Sequence, residues 1–171
     1  MTKHCLSVLV ENKPGALTRI TTMFARRGFN IESLAVGPTE RHDISRITLY
    51  VECEDHALAQ IQKQMHKLVN VLRITELPPG ESLERELALI KVAAPPERRA
   101  ELTALREVFA VRVADVGRDS LVFELCATPE EIDSFEELVR PHGIQEVVRT
   151  GRVALGRAST ASSGRATLVL H

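Results

Sequence analysis

The chain has no tryptophan, one tyrosine and five phenylalanines in 171 residues. Its core must therefore be built mostly from aliphatic side chains. Cysteine is scarce as well: Cys5, Cys53 and Cys126 are odd in number and show no C-x-x-C spacing. That pattern excludes a disulfide framework and suits buried, reduced thiols on or beside strands. Neither sign of charge is in excess, with 22 basic and 23 acidic residues and a net charge of −1. Nothing in that balance draws the chain to nucleic acid or to an anionic membrane. No apolar run approaches the roughly 20 residues of a spanning helix, and Met1-Thr2-Lys3-His4 does not open a signal peptide. A cytoplasmic location is expected.

Reactive motifs are missing too. There is no G-x-S-x-G, no P-loop and no G-x-G-x-x-G. His4, His42, His56, His66, His142 and His171 are scattered and never sit at helical ligand spacing. Cys53, Asp55 and His56 supply too few ligands for a closed metal site, which needs about four. The carboxylates Glu130, Glu131, Asp133, Glu136 and Glu137 fit a helix start and its solvated outer face. No catalytic residue and no metal ligand is assigned.

What the chain does hold is 44% hydrophobic residues, enough for a globular core. Its length suits one ordinary domain or two small ones. Periodicity favours two, because the same order of elements occurs twice. In the first half an apolar strand, 5–11, precedes a helix with Leu17, Ile20 and Phe24 at helical spacing. Strands follow over about 30–37 and 44–53, joined by the turn-rich stretch 37–43. Asp55 is expected to cap a helix striped by Leu58, Ile61, Met65 and Leu68. A strand over 71–77 closes the unit.

Pro78-Pro79-Gly80 then breaks the chain. The repeat has a strand over 85–92, then a helix from Pro95 striped by Leu102, Leu105, Val108 and Phe109. Strands 111–116 and 120–126 come next. Thr128-Pro129-Glu130-Glu131 combines an N-cap, a proline at the first helical position and a capping-box glutamate. Its helix carries Ile132, Phe135 and Leu138, and a strand over 144–149 ends the unit. The fold expected is α+β: two tandem ferredoxin-like βαββαβ units, spanning 1–78 and 84–157. The remainder, 158–171, is rich in Ser, Ala, Thr and Gly and reads as a poorly ordered tail, though Leu168-Val169-Leu170 offers an apolar docking element.

The halves differ in one loop. Between the first strand and helix lies Glu11-Asn12-Lys13-Pro14-Gly15-Ala16-Leu17. A helix starting directly after a strand leaves its first N–H groups unpaired, and with the helix dipole these suit a small carboxylate. Gly15 removes a Cβ that would obstruct approach to that backbone. Asn12 adds an amide that both donates and accepts. Taken singly, Pro14-Gly15 could be an ordinary helix start, Asn12 a turn residue and Asn30 part of a helix end. The second half has Ala93-Ala94-Pro95-Pro96 at the same place, where proline removes the N–H groups a ligand would use.

The run N-K-P-G-A-L followed by F-x-x-R-G-F-N-I-E-S resembles the ACT domain, a module that binds free amino acids. Farther along, H-K-L-V-N-V-L-R-I-T-E-L (66–77), E-R-E-L-A-L-I-K-V (84–92) and R-T-G-R-V-A-L-G-R (149–157) resemble the small, regulatory subunit of acetolactate synthase. The likeness extends over roughly residues 1–157. It implies an ACT domain in 1–78 and, in 84–157, the ferredoxin-like domain that ends such small subunits. It further implies a homodimer that partners a large catalytic subunit. That larger chain would carry thiamine diphosphate, Mg²⁺ and FAD, with no cofactor on this one. The implied role is activation of the large subunit and feedback inhibition by a branched-chain amino acid, valine above all. Effector contacts implied by the likeness are Asn12, Pro14, Gly15, Ala16, Leu17, Asn30 and Ile31. Two other functions stay open. One is a free-standing amino-acid sensor acting on another enzyme or a repressor. The other is RNA recognition by the same topology, disfavoured because Tyr50 is the single aromatic on the strands that would stack bases.

Overall fold

The computed structural model describes residues 2–158 and the backbone of 166–168. The chain divides into two units, one of Met1–Glu84 with the stretch from Arg152 onward and one of Arg85–Gly151. In the first unit the order is β1 (Thr2–Glu11), α1 (Ala16–Arg26), β2 (Ser33–Pro38), β3 (Ile44–Cys53), α2 (Asp55–Met65) and β4 (Val71–Glu76). The second repeats it with β5 (Ser82–Ala93), α3 (Arg99–Ala104), β6 (Val111–Val116), β7 (Ser120–Ala127), α4 (Pro129–Val139) and β8 (Ile144–Arg149). Both are βαββαβ, and the strand orders β4-β1-β3-β2 and β6-β7-β5-β8 are the same arrangement in each unit. Neighbouring strands run antiparallel throughout.

In the first unit Leu6, Val8 and Val10 of β1 and Ile47, Leu49 and Val51 of β3 alternate onto the face covered by the helices. There they meet Ile20, Phe24, Leu58, Ile61 and Met65. The opposite face is covered as well, by a smaller cluster of Cys5, Tyr50, Leu77 and Ala154. Ala154 arrives on β9 (Val153–Gly156), which pairs with β5. Arg152 stacks over the Tyr50 ring at 5.1 Å, and the Arg157 Nε–H donates to the Gly80 carbonyl at 3.0 Å. Residues 152–157 of the 149–157 motif thus pack within the first unit. Burial pushes the Cys5 thiol up to about 11, so it stays protonated at neutral pH.

The second core gathers three of the five phenylalanines. Phe135 meets Phe109 and Phe123 edge-on, with centroids 5.4 and 5.3 Å apart. Thr128 and Glu131 form the expected capping box on α4. That hydrogen bonding holds the Glu131 carboxyl below its ordinary value.

By packing, residues 152–157 group with the first unit, through β9 and Arg152. Several expectations need correction. The N-cap of α2 is Glu54; Asp55 is already helical and makes no capping bond. Helix α3 starts at Arg99 instead of Pro95, since a proline at 96 disfavours helical backbone at the residue before it. Leu17, Val108 and Leu138 face outward; the inward rows are Ala16/Ile20/Phe24 and Ile132/Phe135/Val139, and α3 yields to a 3₁₀ turn before Val108. Of the tail read as poorly ordered, Ala166–Leu168 form β10, antiparallel to β4. Residues 159–165 and 169–171 lie outside the described residues.

One ion-pair cluster anchors the second unit. Arg149 contacts Glu86 at 2.6 Å, Asp133 at 2.6 Å and Glu136 at 3.4 Å. Glu86 is buried, and its hydrogen bond to Arg149 raises the guanidinium pKa further. Losing one partner of a buried pair strands the other charge. Arg149→Met should therefore cost about 3 kcal/mol in urea denaturation. A change below about 0.5 kcal/mol, the range of ordinary surface substitutions, would contradict the assignment.

Candidate effector site

The loop from β1 to α1 is held from two sides. Behind it, the Glu11 N–H donates to the Asn70 carbonyl at 2.9 Å, and the Asn70 amide donates to the Glu11 carboxylate at 2.8 Å. In front, the Asn12 N–H donates to the Asp43 carbonyl at 2.7 Å and its side-chain amide to the His42 carbonyl at 3.1 Å. The β2–β3 turn that receives these bonds is itself braced. Arg41 forks onto Asp43 at 3.2 and 2.7 Å, which holds the Asp43 carboxyl below its ordinary value. Asn12 is therefore a turn-to-turn tie, a role invisible in sequence because its partners lie about thirty residues downstream.

At Gly15 the backbone adopts φ +84°, the left-handed region, and serves as the N-cap of α1. An added Cβ would meet nothing within 4 Å. The glycine is thus required by backbone conformation, and its lack of side chain also leaves the helix end uncapped. The Arg19 N–H to Gly15 carbonyl bond, 3.0 Å, is the first of the helix. The N–H groups of Leu17 and Thr18 precede it without intrahelical acceptors. Acidic residues are absent from the first turn. The end is therefore open and positive, the environment a carboxylate prefers. Pro14 is exposed beside it, Leu17 presents its side chain to solvent, and Ala16 is buried in the core, so only its backbone faces the loop.

Asn30 and Ile31 lie past the other end of α1, beyond Gly28. Ile31 packs against the first core. Asn30 is exposed and borders a hollow of about 460 Å³ that also touches Glu32, Glu52 and Glu54. Helix α1 has 11 residues, about 16 Å at 1.5 Å each. One chain therefore does not bring Asn30 to the Asn12–Leu17 loop. Strand β2 does connect the two levels. It runs parallel to β1, since both are antiparallel to β3. Its first residue follows Asn30 closely, and its last precedes the turn that holds Asn12. Among the described residues β2 is an edge strand, with Val36 half exposed. Among those same residues no group of three or more His, Cys, Asp or Glu is placed to hold a metal ion.

A family model described as the AHAS small subunit-like ACT domain matches residues 6–73, and one described as the small subunit of acetolactate synthase matches 85–158. The chain belongs to the acetolactate synthase small-subunit family. It is 48% identical over 157 residues to a probable acetolactate synthase small subunit of Archaeoglobus fulgidus, covering 92% of this chain and 98% of the relative. It is 47% identical over 154 residues to the acetolactate synthase small subunit of Mycolicibacterium smegmatis, covering 90% and 91%. Among solved structures, the acetolactate synthase small subunit from Thermotoga maritima superposes with a TM-score of 0.88 at 37% identity, covering 94% of this chain and 100% of that one.

Replacing Gly15 with Asp puts a carboxylate over the open helix end and a side chain onto left-handed backbone. The expected result is loss of valine binding by calorimetry, with a stability cost of only about 1–2 kcal/mol. Normal valine affinity in Gly15→Asp would remove this loop from the effector site.

Proposed function

We propose that the chain is the regulatory subunit of an acetolactate synthase and has no catalytic site of its own. In this reading a large subunit, which holds thiamine diphosphate, Mg²⁺ and FAD, joins two pyruvates or pyruvate and 2-oxobutyrate. This chain raises that activity and makes it answer to a branched-chain amino acid, valine in the first instance. The observation that carries the reading is the open N-terminus of α1 at Gly15 in a chain of the small-subunit family.

The effector's carboxylate is assigned to the Leu17 and Thr18 N–H groups, and its remaining contacts to Asn30 and Ile31 of a second chain. Two β2 edges paired antiparallel across a two-fold axis bring the start of one strand to the end of the other. That pairing sets Asn30 of one protomer beside the Asn12 turn of its partner, and a homodimer then has two equivalent shared sites. Regulation requires that valine bind one state of the complex better than another, since equal affinity shifts nothing. A coupling of about 1–3 kcal/mol is typical of such linkage.

Two outcomes check this. The purified chain alone should form no acetolactate but should raise the rate of its large subunit. Turnover by the isolated chain, or no effect on the large subunit, would count against the reading and toward a free-standing sensor. Heterodimers purified from mixed Asn12→Ala and Asn30→Ala chains hold one intact and one doubly altered site. They should regain about half the valine capacity that either homodimer lacks. No recovery would mean that the two residues do not meet across chains.

A further inference from the structure

Helices α1 and α2 flank an open groove of about 1020 Å³ on the outer face of the first unit. Its floor is apolar, made of Met23, Phe29 and Leu68, each half-buried against the core. Its rim carries Arg19, Arg26 and Lys67, all exposed. Between residues 16 and 27, and again between 56 and 70, the sequence has no Asp or Glu. The rim cations have no carboxylate in ion-pair reach among the described residues. A chain of net charge −1 thus concentrates positive charge along one apolar-floored groove.

We infer that this groove seats an acidic amphipathic segment of the large catalytic subunit. The inference rests on the regulatory reading above. Arg19 and Arg26 lie two helical turns apart, roughly 10 Å, so the charges form a row and do not converge on one point as for a small anion. A helix or extended strand with apolar residues on one side and spaced carboxylates on its flanks matches both floor and rim. Gly15 lines one end of the groove and Phe29, next to Asn30, the other. The docked segment therefore lies along the helix whose two ends carry the proposed effector contacts, which gives valine a direct route to the partner. A second copy of this chain is a poorer occupant. Its acidic helix α4 has Glu131 engaged in the capping box and Asp133 and Glu136 on Arg149, and its apolar row faces its own core.

The test uses full-length chain and purified large subunit. In Arg19→Glu/Arg26→Glu/Lys67→Glu, affinity for the large subunit should fall roughly tenfold or more, while wild-type binding should weaken with added salt. Thermal unfolding of the isolated variant should stay cooperative, which reports that it folds. The control Arg106→Glu/Arg118→Glu, on the second unit, should bind normally. Independently, a photoreactive benzoylphenylalanine at Thr22 should cross-link to a carboxylate-rich segment of the large subunit. Unaltered affinity of the triple variant, or cross-links confined to a second copy of this chain, would overturn the inference. Wild-type chain that fails to bind the large subunit would overturn the regulatory reading itself, so the two failures are told apart.

Discussion

The turn at Gly15 is the constraint on which the open helix start of the first unit depends. A central strand ends and a helix begins within four residues, and the chain makes that passage through a left-handed backbone that L side chains rarely adopt. Because the cap residue is glycine, no cap side chain satisfies the helix's first N–H groups. Ties from Asn12 and Glu11 to backbone on either side hold this end in place, so the donors are presented by a braced loop.

The second unit shows what happens when the same wiring lacks that turn. Its strand ends in Ala93-Ala94-Pro95-Pro96, the Ala94 N–H is taken by the Asp119 carbonyl, and its helix shrinks to six residues. Arg99, the first residue of that helix, donates to the carbonyls of Gly117 at 3.0 Å and Arg118 at 2.6 Å. Shared topology therefore does not carry a shared helix start. One unit enters its helix through a left-handed glycine, and the other enters a shorter helix after two prolines. The second unit gathers its phenylalanines around Phe135 and its charges around Arg149.

The βαββαβ order was legible because long elements advertise their period: β3 over Ile44–Cys53 and β6 over Val111–Val116 fall where alternation places them. Short or shared elements were not. β9 buries only Ala154 and β10 has three residues, too few for any period. Of the row expected on α1, Ile20 and Phe24 face the core and Leu17 does not, because the backbone turn at Gly15 sets the helix so that Ala16 points in. At the candidate site, the loop itself could be read from Pro14-Gly15. The bonds that anchor Asn12 could not, since they come from a turn distant in sequence.

The proposed amino-acid effector sits at the α1 N-terminus of one protomer and against Asn30 of its partner. A crystal structure of the chain with valine tests it most directly. The expected structure holds one valine per chain, its carboxylate on the Leu17 and Thr18 N–H groups and its other contacts from Asn30 of the second protomer, across a β2–β2 two-fold. Valine held by a single chain, or bound away from Gly15, would contradict it.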